Sequence, residues 1–251
     1  MKSALHEMNP AVKFLIITFS ILTLAFFFNP WTPFLFWIGV LLLQICFSRV
    51  NWKLWLLVMF PFALGAIGYL WTTVVFGAEI GGMVIWSFAG FEVTDEQWAR
   101  ALSLAFRVMA FSSLSLMFAF TTDPVKFIMS LMQQLKLSPK LAYGVLVGYQ
   151  FLPVLQSEFL QIRQAHRLRG VDEGKYWWQR ILNVRRLLIP MLAGAVRKAE
   201  RAAFAMEARG FTGEARSAFY KPVRVKGLDA VMTAVFLLLL AGSCIGGLWL
   251  S

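Results

Sequence analysis

Long apolar runs separated by short polar stretches organise this chain. An α-helix needs about 20 predominantly apolar residues to cross a bilayer. The pattern therefore predicts an all-α membrane protein with about five transmembrane helices. The apolar runs are Ala11–Phe28, Phe34–Phe47, Leu54–Phe76, Ala101–Thr121 and Leu228–Leu250. In the last run, Gly242 and Gly246 lie four residues apart and favour close packing against a neighbouring helix.

The connection between the third and fourth runs has a different composition. Residues 77–100 are rich in glycine and carry more acidic than basic side chains, which predicts an exposed loop. Arg107 follows, inside the fourth run. Two interpretations of this arginine are open. Its guanidinium reaches the outer lipid headgroups, or it has a structural role inside the helix bundle.

Residues 122–227 form a polar segment that the pattern divides into three helices. Proline at the first helical position and glycine after the last one mark their ends. The predicted helices are Pro124–Leu135, Pro139–Leu168 and Tyr176–Ala208. Both long helices begin apolar and end in a charged, alanine-rich turn. Pro153 and Pro190 lie inside them and are expected to kink them.

Positive charge is concentrated in the same segment. The chain is 59% hydrophobic and has a formal net charge of +11. Residues 122–227 hold 18 of the 24 Lys and Arg side chains and 7 of the 13 acidic side chains, so this segment alone accounts for the whole excess. In a membrane protein such a segment is expected in the cytoplasm. Nucleic-acid binding is the less favoured interpretation, and we expect no nucleic-acid partner.

These patterns predict a multi-pass protein of the plasma (inner) membrane. Residues 1–121 contain four transmembrane helices, residues 122–227 form a cytoplasmic domain, and residues 228–251 contain the fifth transmembrane helix. The N-terminus is then cytoplasmic, and the acidic 77–100 loop and the C-terminus lie outside. The placement of every basic loop follows the positive-inside rule.

The apolar run Leu141–Leu155 complicates this topology. It has 15 residues, which is short for a crossing. A sixth crossing here would place the basic residues on either side of the run on opposite faces of the membrane. We therefore expect the run to lie in or just under the bilayer, packed on other helices, with a sixth transmembrane helix as the alternative.

Two arginines are expected at the exposed ends of the long helices. The sequences are Leu168-Arg169-Gly170 and Ala208-Arg209-Gly210. Glycine just beyond a helix adopts the left-handed conformation without a Cβ clash, so each arginine projects from a helix end. Arginine makes bidentate bonds to carboxylates. Ordinary helix caps are one interpretation of these ends, and docking into grooves of a dimeric partner is the one we favour.

The residues of a catalytic or cofactor site are missing. The sequence has no Gly-x-x-x-x-Gly-Lys-Ser/Thr loop for nucleotide phosphates and no cluster with metal-ligand spacing. Cys46 and Cys244 stand alone in apolar runs, and His6 and His166 are isolated. We therefore expect a non-catalytic subunit with no cofactor and no metal. A membrane-embedded enzyme is the least favoured class.

Several stretches resemble one known family. They are Phe120-Thr121-Thr122-Asp123-Pro124, Phe151-Leu152-Pro153-Val154-Leu155 followed by Glu158, Ile189-Pro190-Met191-Leu192, and Arg197–Phe211 with its Ala-Arg-Gly sequence. Together they resemble the transmembrane T component (EcfT/CbiQ family) of energy-coupling factor (ECF) importers of vitamins and metal ions. Leu168 departs from that pattern, because the family has alanine before the first Arg-Gly pair.

The resemblance implies a complex with two cytoplasmic ABC-type ATPases and a small membrane S component that binds the substrate. Arg169 and Arg209 are then expected to dock into the two ATPases, together with Gly170, Ala208 and Gly210. The long helices would transmit ATP-driven motion to the S component. The alternative is a substrate-binding membrane subunit of an ordinary ABC transporter. A vitamin, a vitamin precursor and a transition-metal ion all remain open as the substrate.

Overall fold

The computed structural model describes residues 4–48, 50–76, 84–88, 91–170, 177–214, 219 and 221–250. Helices dominate these residues, as the apolar pattern predicts. The helices are α1 (Ala4–Glu7), α2 (Pro10–Phe26), α3 (Trp31–Phe47), α4 (Trp52–Phe76), α5 (Asp95–Thr121), α6 (Pro124–Gln134), α7 (Pro139–Leu168), α8 (Trp177–Ala208) and α9 (Gly227–Leu250). Two compact units result, residues 1–130 with 223–251, and residues 131–222.

Apolar packing between helices holds the first unit together. Side chains from α1, α2, α3, α5 and α9 form its core, in which Leu24, Phe36 and Leu114 have no exposed surface. A smaller cluster around Trp55 and Met59 joins α4 to α5. Close van der Waals packing of such side chains stabilises helix association in a membrane.

Three helices of this unit are long and apolar enough to cross a membrane. They are α4, α5 and α9, whereas α2 and α3 are apolar but have 17 residues each. On α4, Leu57 is 73% exposed and Ile67 is 64% exposed. A continuous apolar exterior of this kind is stable against lipid and rare on soluble proteins. The fold is therefore that of an all-α membrane protein, and α7, which contains Leu141–Leu155, is not among the three long apolar helices found in the described residues.

The start of α5 differs from the expected position. The sequence pattern placed the fourth transmembrane helix from Ala101, but α5 begins at Asp95, six residues earlier. Thr94 and Gln97 form a capping box there, in which the backbone N–H of Thr94 donates to Gln97 Oε1 at 3.5 Å. Gln97 Nε2 also donates to the carbonyl of Val74 at 3.1 Å, which ties this helix start to α4.

A two-stranded hairpin occupies part of the expected acidic loop. Strands β1 (Val84–Phe88) and β2 (Phe91–Thr94) pair antiparallel, and β2 leads directly into α5. The sequence analysis predicted only a loop here. Residues 77–83 and 89–90 of that loop lie outside the described residues.

Arg107 has a structural role inside the helix bundle. Its guanidinium donates a hydrogen bond to the backbone carbonyl of Phe27, the residue that ends α2. The same guanidinium lies over the Phe28 ring, 5.3 Å from its centroid. A cation at this point satisfies a carbonyl that the helix end leaves without an internal partner. Of the two interpretations left open by the sequence, this contact favours the structural one.

Glycines allow α9 to approach α3, but not the pair expected from the sequence. Gly247 lies directly against Thr32, and Gly39 lies against Leu239. Gly246 packs on Leu35, whereas Gly242 has open space where a side chain would be. The expectation that Gly242 and Gly246 together form the close contact is therefore wrong for Gly242.

Replacing Gly247 with alanine tests this contact. The new methyl group would collide with Thr32, so we expect a loss of about 1–3 kcal/mol in stability. Gly242→Ala is the matched control, because a methyl group there meets no atom within 4 Å. The measurement is the thermal unfolding midpoint of the purified protein in detergent. Equal midpoints for the two variants would contradict the packing described here.

Candidate functional site

The first arginine terminates α7. The helix ends at Leu168, and Arg169 is its C-cap residue. The backbone N–H of Arg169 donates to the Ala165 carbonyl at 3.2 Å. Gly170 follows with φ of 71°, and its N–H donates to the Arg167 carbonyl at 3.0 Å. A side chain at position 170 would be strained at this φ, so glycine fixes where the helix stops.

The second arginine terminates α8 in the same way. The helix ends at Ala208, and Gly210 has φ of 77°. The N–H of Gly210 donates to the Glu207 carbonyl at 2.9 Å, and the N–H of Phe211 donates to the Met206 carbonyl at 3.0 Å. These two bonds define a Schellman motif. Both Arg-Gly pairs therefore cap helices with the geometry that the sequence predicts.

Both helix ends are open to solvent. Arg169, Gly170, Ala208, Arg209 and Gly210 are all exposed. Two apolar side chains accompany them. Leu168 is 90% exposed beside Arg169, and Phe204, one turn before Ala208, is 67% exposed. Exposed apolar groups next to arginine are typical of protein interfaces. In the sequence, Leu168 stands out only as a departure from the family motif, and no local signal marks Phe204.

An ion pair joins the two long helices. Lys198 Nζ on α8 bonds Glu158 Oε1 on α7, and the two side chains are only 25% and 23% exposed. Gly194, one turn before Lys198, faces the same carboxylate and leaves room for it. Glu158 appeared in the sequence as part of a family-like stretch, but its partner lies 40 residues away and has no local signal.

A second contact shows that the helices run antiparallel. The Tyr143 ring, near the start of α7, meets the Phe211 ring, just beyond α8, with centroids 5.3 Å apart. Moving forward along α7 from Tyr143 to Glu158 therefore means moving backward along the chain from Phe211 to Lys198. Arg169 and Arg209 consequently lie at opposite ends of the helix pair.

The ion pair stands midway between the two arginines along the helices. Glu158 precedes Arg169 by eleven residues, and Lys198 precedes Arg209 by eleven residues. At about 1.5 Å per residue, each arginine lies roughly 16 Å from the ion pair along its helix. The two arginines therefore extend from one contact in opposite directions and by equal lengths.

The first half of α7 exposes a continuous apolar face. Six residues spaced three or four apart are exposed, and two of them are glycines. They are Leu141, Gly144, Val145, Gly148, Tyr149 and Leu152. A methyl group added to Gly144 or Gly148 would meet no atom within 4 Å. Ala142 and Leu146, on the other side of the helix, are buried. This stripe has the spacing and the small residues of a helix-packing surface.

A comparable apolar surface lies on α8. Ile189 and Leu192 are each 58% exposed, and Val196 is 57% exposed one turn further on. Pro190 lies within this stretch, and Pro153 follows the apolar face of α7. Both helices continue through their prolines, and the kinks remain a prediction. Among the residues that the structure describes, no group of three or more His, Cys, Asp or Glu side chains forms a metal site.

Comparisons with known proteins identify the family of this chain. The sequence model of the cobalt transport protein family, CbiQ, matches residues 1–220. The chain belongs to the CbiQ family. This membership confirms the resemblance seen in the sequence.

Curated relatives cover almost the whole of this CbiQ-family chain. It is 28% identical over 242 residues to the "Energy-coupling factor transporter transmembrane protein EcfT" of Limosilactobacillus fermentum, covering 93% of this chain and 89% of the relative. The protein of the same name from Thermotoga maritima is 27% identical over 256 residues, covering 96% and 87%. That from Acidaminococcus fermentans is 28% identical over 250 residues, covering 94% and 91%.

The Glu158–Lys198 pair of this CbiQ-family chain can be tested by removing one charge. Glu158→Gln leaves the lysine without its carboxylate, and we expect a loss of about 1 kcal/mol in stability, the upper value for partly exposed pairs. Glu200→Gln is the matched control on an exposed position of α8. Thermal unfolding in detergent gives the comparison. A Glu158→Gln midpoint equal to that of Glu200→Gln would show that the pair does not hold the helices together.

Proposed function

We propose that this chain is the transmembrane T component of an ECF-type importer. It joins two cytoplasmic ABC-type ATPases to a small membrane S component that binds a vitamin or a metal ion. The chain itself is not an enzyme, because the partner ATPases hydrolyse ATP. Its membership of the CbiQ family and its similarity to energy-coupling factor transmembrane proteins support this assignment.

The observation that carries the proposal is the pair of exposed arginines at opposite ends of α7 and α8. Each arginine is fixed at a helix end by a left-handed glycine, so its direction is set by the backbone. Acidic residues in a groove of each ATPase bind these guanidinium groups. Leu168 and Phe204 add apolar contact area beside them. Two ends suit two ATPase subunits.

The chain crosses the plasma membrane five times in this proposal, through α2, α3, α4, α5 and α9. The concentration of basic residues between positions 122 and 227 supports a cytoplasmic location for the coupling segment. The N-terminus is then cytoplasmic. Helices α2 and α3 have 17 residues each, which is within the range observed for membrane spans.

The apolar faces of α7 and α8 bind the S component. Within a membrane, helices associate where small residues allow their backbones to approach closely. Gly144 and Gly148 provide such a surface on α7, and both are unobstructed in the chain itself. When ATP binding closes the ATPase dimer, the two arginine ends move. The helices carry that movement, as rigid bodies with local bends at Pro153 and Pro190, to the S component.

Removing both arginines tests the docking of the ATPases. In the Arg169→Ala, Arg209→Ala double variant we expect at least a roughly tenfold loss of ATPase co-purification, because each lost charge pair contributes about 2–5 kcal/mol. The measurement is the amount of ATPase recovered with the tagged chain from detergent-solubilised membranes. Arg197→Ala, an exposed arginine on α8 away from the helix end, is the control. Wild-type recovery with the double variant would refute the proposal.

The single variants rank the two ends. Ala208-Arg209-Gly210 matches the family sequence fully, whereas Leu168 replaces alanine at the other end. We therefore expect Arg209→Ala to release more ATPase than Arg169→Ala in the same assay. Equal or reversed losses would contradict this ranking without affecting the double-variant result. One copy of this chain per ATPase pair is expected in the purified complex.

Adding bulk to the α7 face tests the binding of the S component. Gly148→Leu fills space that the chain leaves open, so the chain is expected to fold while the approach of a partner helix is blocked. We expect roughly tenfold less S component and unchanged ATPase in the same purification. Gly68→Leu is the control, since Gly68 on α4 is equally unobstructed. Full recovery of the S component with Gly148→Leu would place its binding surface elsewhere.

A further inference from the structure

Two buried charges lie near the ends of the first unit's helices. Lys13 on α2 is 2% exposed, and Asp229 on α9 is 1% exposed. Removing a charge from water costs several kcal/mol unless polar partners replace the water. The proposed docking of ATPases and S component uses neither residue. Their partners therefore show what each charge does in the fold.

Lys13 binds the end of α5. Its Nζ donates to the Thr121 carbonyl at 3.2 Å, to Thr121 Oγ1 at 3.1 Å and to Thr122 Oγ1 at 3.3 Å. A fourth bond, of 2.6 Å, goes to the Leu5 carbonyl in α1. Thr121 is the last residue of α5, where unpaired carbonyls and the helix dipole favour a cation. Burial, and secondarily the charge of Lys13, lowers the pKa of His6 in α1.

Asp229 binds the start of α9 to the start of α2. Its Oδ2 accepts from the backbone N–H of Lys226 at 2.7 Å, which caps the first turn of α9. Its Oδ1 accepts from the backbone N–H of Asn9 at 2.7 Å. Asn9 is itself the N-cap of α2, and Lys13 follows it by four residues, one helical turn. The two charges therefore belong to one polar cluster.

The cluster contains both ends of the coupling segment. The coupling segment runs from Thr122, the exit, to Lys226, the return, and contains all of α6, α7 and α8. Both points lie within the first unit, which ends at residue 130 and resumes at residue 223. Lys13, in the N-terminal part of α2, binds the chain at the exit. Asp229 binds the chain at the return and also binds Asn9, the N-cap of α2. The covalent chain between Thr122 and Lys226 does not by itself fix the distance between these two points. The hydrogen bonds of the cluster link the exit and the return through α2.

We propose that Lys13 and Asp229 are positioning residues that hold the two attachment points of the coupling segment at a fixed separation during the transport cycle. When the attachment points are fixed, the segment moves as a rigid body. A displacement of the arginine ends is then transmitted to the apolar face of α7. If the attachment points could move, they would shift instead, and the displacement would not be transmitted to α7. This inference rests on the proposed function, because it needs a displacement produced by ATPases.

Spin labels on the two sides of the cluster test the fixed separation. Lys126 and Lys226 have exposed side chains and flank the exit and the return, so cysteines there accept labels after Cys46 and Cys244 are replaced by serine. The distance between labels is measured by electron paramagnetic resonance in the complete complex with ATPases and S component. The two states are nucleotide-free and bound to a non-hydrolysable ATP analogue. This readout is independent of the transported substrate.

In the otherwise unaltered chain we expect one narrow distance that does not change with nucleotide. In Lys13→Met and Asp229→Asn we expect the distribution to broaden and to shift by at least about 2 Å between the two states, the size of helix displacements in switching proteins. ATPase recovery should stay unchanged, since neither residue is at the α7 and α8 ends that carry Arg169 and Arg209. Lys53→Met, an exposed lysine on α4, is the control.

A distance that stays narrow and constant in Lys13→Met and Asp229→Asn would overturn the proposal, as would a nucleotide-dependent shift in the unaltered chain. If these variants do not assemble, Thr122→Val decides, because it removes a single acceptor of Lys13 and keeps the side-chain shape. An unchanged distance in that variant also overturns the proposal. If the Arg169→Ala, Arg209→Ala double variant retains the ATPases, the docking model is rejected. That result is separate from the cluster proposal, because the distance between the two labels is still measured in the nucleotide-free state.

Discussion

Charged side chains that are withdrawn from water need hydrogen-bond partners within the chain. The apolar exterior of the first unit strengthens this requirement, because lipid offers no hydrogen bonds. Arg107 meets it by binding the carbonyl that ends α2, and Lys13 meets it at the end of α5. Asp229 does the same for backbone N–H groups. Buried charge is thus placed where helices end and leave backbone groups unpaired.

The same rule shapes the second unit with different groups. Here the helix ends are exposed, and backbone hydrogen bonds close them. Gly170 and Gly210 make the closure possible, because only a residue that tolerates positive φ brings the N–H groups back onto the last carbonyls. The arginines beside them are then not needed for capping. They remain available for an interface, which distinguishes these helix ends from those of the membrane unit.

Features with a local cause were predictable from the sequence. Pro124, Pro139 and the two Arg-Gly pairs mark helix ends through their own backbone preferences, and the structure has helix ends at all four. The early start of α5 also had a local signal, the Thr94 and Gln97 capping box, which the hydropathy pattern obscured because the first turn is acidic.

Features with a distant cause were not predictable. Lys13 lies inside the predicted apolar run Ala11–Phe28, and no local signal marks it, because its acceptors on α5 lie 108 residues away. The Lys198 partner of Glu158 and the exposure of Leu168 depend on the tertiary fold in the same way. Gly242 shows the converse error. Its spacing from Gly246 matched a packing motif, yet the helix turns it toward open space.

The Glu158–Lys198 contact lies midway between Arg169 and Arg209, and this position gives the α7–α8 pair an approximate symmetry. Antiparallel helices that touch midway between their C-terminal arginines are related by an approximate two-fold axis through that contact. A dimer of identical subunits has a two-fold axis of its own. In the proposed complex, one copy of this asymmetric chain would therefore match a symmetric pair of ATPases, and the match would be imperfect where Leu168 and Ala208 differ.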